Sequence, residues 1–251
     1  MKHGKDYSWQ LLRYDEIDST NSALKRMPDA PHGTVLLARR QTGGRGRLGR
    51  QFASPTGGIY LSALLRPNVP SQELLALTPM AAVAIKRAIF DCCGIRVQIK
   101  WTNDLVYAGK KLCGILTELL TDSVNGNIQG AIIGIGINCN ALPEEVQDMA
   151  TSLQQITGHS IDQEALVAAI LQRLQELDAA LGSERPAWLR EFEAACISVG
   201  KTVQVIHGDS RRTAFAEGID EFGGLRVRWE DGSSEVISSG EVSIRGMYGY
   251  S

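Results

Sequence analysis

A loop at residues 41–50, in which arginines alternate with glycines, has the clearest capacity for chemistry: it reads Gln-Thr-Gly-Gly-Arg-Gly-Arg-Leu-Gly-Arg. Glycine permits positive φ and lets main-chain N–H groups approach an anion closely. Arginine presents a fork of donors that matches a carboxylate or a phosphate. The loop therefore suits two acidic groups bound side by side, although a solvated basic loop explains this segment equally well when it is taken alone.

The same loop contains the spacing Gly-x-Gly-x-x-Gly at Gly44, Gly46 and Gly49. A dinucleotide fold needs a helix directly afterwards, but residues 51–58 (Gln-Phe-Ala-Ser-Pro-Thr-Gly-Gly) do not favour one. A kinase would also carry HRD and DFG, which do not occur, and the loop lacks the Gly-Lys-Ser/Thr of a Walker A motif. Binding of anions by the loop itself is the interpretation that remains.

A second segment brings an amide, a carboxylate and a lysine close together. Residues 100–104 (Lys-Trp-Thr-Asn-Asp) end one predicted strand, and residues 109–111 (Gly-Lys-Lys) open the next. Asn103, Asp104 and Lys111 would then lie near strand ends, where binding sites are commonly assembled. A plain hairpin turn with exposed lysines is the simpler explanation of that spacing alone.

A third segment, residues 134–138, reads Gly-Ile-Gly-Ile-Asn. Alternating glycines weaken a strand unless something must approach its backbone closely. Asn138 at the end of the segment could bind a polar edge such as that of adenine, or simply cap a turn.

The elements that must position these residues follow from the spacing of apolar side chains. Residues 18–21 (Asp-Ser-Thr-Asn) predict a capped short helix, and apolar residues at helical spacing predict longer helices at 74–90, 163–181 and 187–196. Apolar runs predict strands at 35–38, 59–65, 97–101, 114–120 and 131–137. The turn Asn125-Gly126-Asn127 should join the last two as an antiparallel hairpin.

The texture of the sequence changes after about residue 198. Short strand-like runs at 203–206, 213–216, 225–229 and 236–237 alternate with Gly-Asp, Gly-Gly and Asp-Gly turns. That pattern predicts a small all-β barrel. We therefore expect a first domain at 1–197, which carries the three motifs, and a C-terminal domain at 198–251.

The composition is that of an ordinary globular protein. The chain has 251 residues, 43% of them hydrophobic and 22% charged, and its net charge of -2 offers no basic field for nucleic acid. The five cysteines are odd in number and form no Cys-x-x-Cys, which favours a reducing compartment. Because no apolar signal core or membrane-length apolar run occurs, we expect a cytoplasmic protein with no membrane partner.

The ordered set of motifs resembles the biotin protein ligase family. It comprises Gly-Arg-Gly-Arg-x-Gly-Arg, then Lys-Trp-x-Asn-Asp with Lys-Leu-x-Gly-Ile-Leu-x-Glu, then Gly-x-Gly-Ile-Asn. The resemblance runs from Ile17 onward and implies an α+β fold. That fold has a mixed, largely antiparallel sheet with helices, as in class II aminoacyl-tRNA synthetases, and a small C-terminal SH3-like β-barrel.

The resemblance implies an ATP-dependent ligase that converts biotin to biotinyl-5'-AMP and then transfers it to a lysine. Ser19, Thr20 and Gln41 are expected to hydrogen-bond the ureido ring of biotin. The arginine loop is expected to fold over both ligands, with Arg45 at the junction of biotin and phosphate, and Lys111 at the reacting carboxylate and α-phosphate. The full set implied for biotin is Ser19, Thr20, Gln41, Gly44, Arg45, Arg47, Lys111, Gly114 and Leu116.

The resemblance also implies an ATP site beside the biotin site. Asp104 is the expected ligand of Mg²⁺, and Phe52 is expected to stack on adenine where relatives often carry Trp. Phe52 is thus one departure from the family pattern, and Thr102 is a second, because relatives often carry Pro at that position. The set implied for the nucleotide is Arg47, Arg50, Phe52, Asn103, Lys111 and Asn138, and the catalytic residues implied are Arg45, Arg47 and Lys111.

The implied acceptor is a biotin carboxyl carrier domain, such as that of acetyl-CoA carboxylase, and a homodimer is a further expectation. Some family members bind DNA through an N-terminal winged helix. Only seventeen residues precede Asp18, so we expect a short form without that domain and without a DNA partner. The rival functions are a lipoate ligase or octanoyl transferase, a DNA-binding repressor, and a catalytically inactive binding module.

The expected chemistry needs no covalent nucleophile on the protein. Lys111 and the arginines would neutralise charge that builds on the phosphate as the mixed anhydride forms. Cys113 lies near Lys111 in sequence, but we expect it to be a packing residue because buried inert thiols outnumber catalytic ones. Glu118 could orient Lys111 or could be a surface carboxylate.

Overall fold

A seven-stranded mixed sheet forms the centre of the first domain in the computed structural model, which describes residues 8–122, 126–207, 210–238 and 243–246. The sheet has the order β1-β2-β3-β7-β6-β5-β4. β1 and β2 are parallel, and the other neighbouring pairs are antiparallel. Its strands are β1 (Gln10–Ile17), β2 (Thr34–Gln41), β3 (Ile59–Leu65), β4 (Gln98–Lys100), β5 (Asp104–Tyr107), β6 (Lys110–Thr121) and β7 (Ile128–Ile137).

Helices pack against both faces of this sheet. They are α1 (Thr20–Lys25), α2 (Leu77–Cys93), α3 (Leu153–Thr157), α4 (Gln163–Ala180) and α5 (Arg185–Ala195), of which α2 packs against both α4 and α5. Local signals set their ends: Gly94 closes α2 in the left-handed conformation at φ +68, and the Asp162 carboxylate caps α4. α1 lies apart from the others, against β2, β3 and β7.

Alternation along β6 and β7 separates a packed face from an open one. Cys113, Ile115, Ile133 and Ile135 belong to the main core together with α2. Because successive strand residues point to opposite faces, the glycines at 114, 134 and 136 all point the other way. The open face therefore has a floor with few side chains, bordered by α1.

A separate antiparallel sheet follows α5. It consists of β8 (Thr202–His207), β9 (Ser210–Ile219), β10 (Leu225–Trp229), β11 (Ser234–Ile237) and β12 (Ser243–Gly246), in the order β11-β10-β9-β8-β12. Its buried residues join the main core. Trp101 Nε1 donates to Gly223 O at 2.9 Å, which links the first domain directly to this sheet.

The predicted elements are present, but three strands and the short helix α3 were not predicted. All of the predicted helices and strands occur with small shifts in their ends. β1, β5 and β12 were not predicted, and the barrel is seen as a five-stranded sheet rather than a closed one in the described residues. β6 and β7 pair antiparallel as predicted, although Asn125 of the predicted turn lies outside the described residues, as does the turn at Gly208-Asp209. No helix in the described parts of the chain is long and apolar enough to cross a membrane.

Candidate active site

Most of the predicted site residues line a single cleft of about 210 Å³ on the open face of the sheet. Residues from α1, the arginine loop, the β4–β5 connection, β6 and β7 meet there, although they are far apart in sequence. The predicted residues that line it are Ser19, Thr20, Gln41, Arg45, Arg47, Arg50, Phe52, Asn103, Asp104, Lys111, Gly114 and Leu116.

Two predicted residues lie outside this cleft lining. Gly44 is buried at the base of the loop, where a Cβ would come within 2.3 Å of Phe52 O and 2.5 Å of Ser54 Oγ. Asn138 uses its Nδ2 to donate to Thr151 O at 3.0 Å. In this arrangement Asn138 joins the end of β7 to the segment before α3, which is the turn-capping alternative that its position in the sequence left open.

The N-terminus of α1 forms a polar end of the cleft. Gln41 Oε1 accepts from the Thr20 main-chain N–H at 2.8 Å and lies 3.1 Å from Thr20 Oγ1. Gln41 Nε2 donates to Ser54 Oγ at 2.9 Å. Ser19, Thr20 and Ser54 are all buried, so their hydroxyls form part of a fixed hydrogen-bonding surface.

The start of α1 is anchored by Asp18. Ser19 caps the helix by accepting from the Ser22 main-chain N–H, and Arg26 binds the Asp18 carboxylate through two hydrogen bonds of 2.7 and 2.8 Å. The hydrogen bond from Arg26 lowers the pKa of Asp18 to about 2. Gly43 N donates to Asp18 O, so the arginine loop begins directly beside this helix end.

A β-bulge turns Lys111 into the cleft. Lys111 and Gly114 are three residues apart, a spacing that would place them on opposite faces of a regular strand. The register between β5 and β6 shifts at this point, leaving Leu112 as the extra residue, and both Lys111 and Gly114 then face the cleft. Lys111 Nζ lies 2.7 Å from Asp104 Oδ1.

Arg47 reaches from the loop to the β4–β5 connection. Its Nη1 donates to Asn103 Oδ1 at 3.1 Å, and Asn103 Nδ2 donates in turn to Ile115 O at 2.9 Å. Desolvation lowers the pKa of Arg47, which is partly offset by the charge of Asp104. Arg47 Nη2 is buried without a hydrogen-bond partner in the described part of the chain, so one side of the guanidinium is available to a ligand.

The Phe52 ring packs against Gly114 and Gly136 on the open face of the sheet. A Cβ on Gly136 would come within 2.5 Å of the ring, and one on Gly114 within 3.2 Å. The ring centroid is 5.7 Å from Lys111 Nζ. The structure thus places Phe52 beside Gly114, which the resemblance assigns to biotin, while Arg45 and Arg50 stay exposed on the loop above.

Asn21, Ser54, Ser62 and Glu118 belong to the same polar surface but were not assigned from the sequence. Asn21 and Ser54 follow motif residues in the chain, and Glu118 ends the motif of β6, so proximity to the motifs was the available signal. Glu118 accepts from Lys25 Nζ at 2.6 Å and from Asn21 Nδ2 at 2.9 Å. Lys111 is therefore oriented by Asp104, and the suggestion that Glu118 orients it is wrong.

The thiols near the site are buried rather than activated. Burial raises the pKa of Cys113, which packs in the core beneath β6. Burial likewise raises the pKa of Cys139 to about 12. Neither thiol has the lowered pKa of a catalytic nucleophile.

Two family descriptions cover most of the chain. Residues 14–138 match the Biotin/lipoate A/B protein ligase family, and residues 199–245 match the Biotin protein ligase C terminal domain. The biotin--[acetyl-CoA-carboxylase] ligase of Paracoccus denitrificans is 35% identical over 242 residues, which cover 91% of this chain and 98% of that protein. The bifunctional ligase/repressor BirA of Bacillus subtilis is 34% identical over 238 residues, or 91% and 72% of the two chains.

A solved structure supports the same relationship. The biotin protein ligase from Aquifex aeolicus in complex with biotin and ATP has a TM-score of 0.80 and 34% identity, over 94% of this chain and 99% of that one. The mixed sheet with helices and the separate antiparallel C-terminal sheet match that architecture. The chain belongs to the biotin protein ligase family.

Proposed function

We propose that this protein is an ATP-dependent biotin protein ligase. It would convert biotin and ATP to biotinyl-5'-AMP and pyrophosphate, and then transfer the biotinyl group to a lysine of a biotin carboxyl carrier domain. The observation that carries this proposal is the convergence of Lys111, Arg47 and the exposed loop arginines on one cleft, whose other end is the neutral polar surface of Thr20 and Gln41.

The positive side chains in the cleft can offset the repulsion between the two anionic groups that react in the first step. The carboxylate of biotin must attack the α-phosphate of ATP, and both groups are anions that repel each other. Lys111 and Arg47 supply positive charge in a partly buried setting, where it is less screened than in water. The bond from the biotin carboxylate to the α-phosphorus forms as the bond from that phosphorus to the pyrophosphate oxygen breaks.

The polar end of the cleft suits the hydrogen-bonding groups of biotin. A ureido ring offers N–H donors and a carbonyl acceptor, and hydroxyl and carboxamide groups can pair with both kinds. We assign this role to Ser19, Thr20 and Gln41, with the backbones of Gly114 and Leu116 along the tail. Gly44 would contribute to the biotin site by fixing the shape of the loop. Its main-chain O accepts from Phe52 N and closes the base of the loop.

The nucleotide end would lie toward Asn103. Arg47 and Arg50 would bind the phosphates, and Arg45 would lie over the junction of the two ligands. The adenine role of Phe52 stays a prediction; its position against Gly114 and Gly136 equally suits a wall of the biotin tail. The nucleotide role of Asn138 also stays a prediction.

Mg²⁺ would enter as the Mg²⁺ complex of ATP. The described residues contain no group of three His, Cys, Asp or Glu side chains that could hold a metal, and the Asp104 carboxylate is engaged by Lys111. Within the part of the chain that the structure describes, the protein thus supplies at most a single carboxylate to the metal at this cleft. Asp104 as a ligand of Mg²⁺ stays a prediction.

The second step needs an acceptor amine and a leaving AMP. The neutral lysine amine of the carrier domain attacks the acyl carbon, the new C–N bond forms, the bond to the phosphate oxygen breaks to release AMP, and the nitrogen loses one proton to solvent. The buried thiols take no part in this transfer.

We further propose domain limits of 1–197 and 198–251 with an SH3-like C-terminal barrel. The homodimer, the absence of a DNA partner and the cytoplasmic location stay predictions.

The proposal is tested by isotope exchange between pyrophosphate and ATP. We expect exchange that requires biotin and is not supported by lipoate or octanoate. Mass spectrometry of a carrier domain incubated with biotin, Mg-ATP and the protein should then show one added biotinyl group. Exchange that follows lipoate instead would replace this function with that of the lipoate branch of the family.

A further inference from the structure

Glu118 lies at the polar end of the cleft, away from Lys111. It sits on β6 four residues beyond Gly114, and therefore on the same face of the sheet. Its carboxylate accepts from Asn21 Nδ2 at 2.9 Å and from Lys25 Nζ at 2.6 Å. The side chain is 18% exposed, so these contacts are largely shielded from water.

Asn21 is held on three sides. Its Nδ2 donates to Glu118 and also lies 3.2 Å from Leu116 O, while its Oδ1 accepts from Ser62 Oγ at 2.5 Å. The carboxamide lies on Gly134, where a Cβ would come within 2.2 Å of Asn21 Oδ1. Asn21 is 4% exposed and lines the cleft next to Thr20.

The Glu118 carboxylate forms an ion pair with Lys25 at 2.6 Å, and in that ionised form it can only accept hydrogen bonds. Burial alone would raise its pKa, but the hydrogen bonds from Lys25 and Asn21 and the charges of Lys25 and Arg45 outweigh burial and leave the pKa lowered. An amide can in principle rotate to exchange its oxygen and nitrogen. An acceptor at Glu118 and another at Leu116 O permit only the orientation in which the nitrogen faces them.

This orientation sets the direction of the next hydrogen bonds. Asn21 Oδ1 cannot donate, so the single proton of Ser62 must point to it. Ser62 Oγ lies 2.7 Å from Thr20 Oγ1 and has no second proton to donate, so it accepts the proton of Thr20 in preference to Gln41 Oε1, which is 3.1 Å away. The lone pairs of Thr20 Oγ1 are then free to accept an N–H donor from a ligand in the cleft.

We propose that Glu118 is a positioning residue for biotin, acting through Asn21 and Ser62 to keep the Thr20 hydroxyl an acceptor for a ureido N–H. This inference rests on the proposed function and deepens it. Glu118 does not line the cleft, whereas Asn21, to which it is hydrogen-bonded, and Thr20 both do. Its effect should therefore fall on biotin affinity and leave ATP affinity almost unchanged.

The test compares the KM for biotin and the KM for ATP in pyrophosphate exchange. We expect Glu118→Ala and Asn21→Asp each to raise the biotin KM about tenfold or more, because a hydrogen bond to a charged group is lost or replaced by repulsion. Glu118→Gln should have a smaller effect, since its amide oxygen can still accept from Asn21. The ATP KM should stay within about twofold in all three variants.

A swapped pair makes the test specific to this contact. In Asn21→Asp combined with Glu118→Gln, the glutamine amide can donate to the aspartate, and Ser62 still donates to the other carboxylate oxygen. We expect the double variant to bind biotin better than Asn21→Asp alone, which a loss of general stability could not produce. Glu16→Ala is the matched control. Glu16 lies on the edge strand β1 and forms an exposed ion pair with Arg40 of β2.

The outcomes separate the inference from the function on which it rests. Exchange by the unmodified protein that does not depend on biotin would overturn both. Biotin-dependent exchange with an unchanged biotin KM in folded Glu118→Ala and Asn21→Asp would overturn the role of Glu118 alone. A failure of the swapped pair to improve on Asn21→Asp would do the same.

Discussion

Lys111 Nζ lies 2.7 Å from Asp104 Oδ1 across the β5–β6 hairpin, with side chains 26% and 17% exposed. An ammonium group has three donors, so a single carboxylate neighbour holds Lys111 in place and leaves donors for a ligand. The bulge at Leu112 is what turns this lysine toward the cleft. The contact with Asp104 thus fixes the position of Lys111, and the remaining N–H donors of its ammonium group can bind a ligand.

Replacement of Lys111 by alanine should lower the rate of biotin-dependent pyrophosphate exchange by about 10²–10³-fold, because the charge that develops on the phosphate loses its main partner. Circular dichroism should show an unchanged fold. Lys110→Ala is the matched control, since Lys110 is the adjacent lysine and does not line the cleft. Near-normal exchange in Lys111→Ala would remove this residue from the mechanism.

Replacement of Arg47 by lysine should raise the KM for ATP by roughly 10- to 100-fold, because the charge remains but the forked donor is lost. The hydrogen bond to Asn103 Oδ1 would be lost together with the free Nη2. The KM for biotin should change much less. Arg39→Lys, at an exposed position on β2, serves as control; equal effects on both substrates would contradict the assignment of Arg47 to the nucleotide.

Replacement of Gly136 by alanine should reduce biotin affinity about tenfold or more, because the new methyl group would come within 2.5 Å of the Phe52 ring and displace it. Titration calorimetry measures the loss. Adding Phe52→Leu to the same chain should recover part of the affinity by making room. Gly182→Ala is the control, since a Cβ there meets only Val69 at 3.7 Å, and an unaffected Gly136→Ala protein would show that the floor is not used.

The buried thiols should make the protein less stable above about pH 9. Burial raises the pKa of Cys139 to about 12, while an unfolded thiol ionises near its ordinary value of 9.0. Because the folded-state pKa is the higher one, this stabilisation is complete below about pH 9 and is lost as the pH rises toward 12, by about 1 kcal/mol at pH 10. Urea unfolding at pH 8 and 10 should show a smaller loss in Cys139→Ala than in the unmodified protein; equal losses would contradict this.

Replacement of Trp101 by phenylalanine should lower the free energy of unfolding by about 1–3 kcal/mol, because Gly223 O would lose its donor at a buried site. Since Trp101 precedes Asn103 and Asp104 and lines the cleft, the rate of exchange should fall as well. Trp188→Phe, an equally buried tryptophan on α5, is the comparison. If both variants lose activity only in proportion to stability, the C-terminal sheet has no specific influence on the site.

Prediction from the sequence succeeded where the signal was local. The cap at Ser19, the apolar spacing of α2 and α4, and the apolar run of β3 each depend on residues a few positions apart. β1 was missed because its residues, Gln10–Ile17, are half-buried or exposed; it forms by pairing with the edge of β2. β5 was missed because it has only four residues and depends on β6 for its pairing.

The amino-acid sequence by itself determined the family, the cationic loop, and most of the residues that line the cleft. Only the tertiary structure decided how those residues face each other: that Lys111 pairs with Asp104, that Phe52 lies on Gly136, that Asn138 binds Thr151 O, and that Glu118 holds Asn21. The physical reason is that residue type and spacing identify donors, acceptors and charges. The direction of each side chain, in contrast, depends on strand register, on a bulge and on contacts between residues distant in sequence.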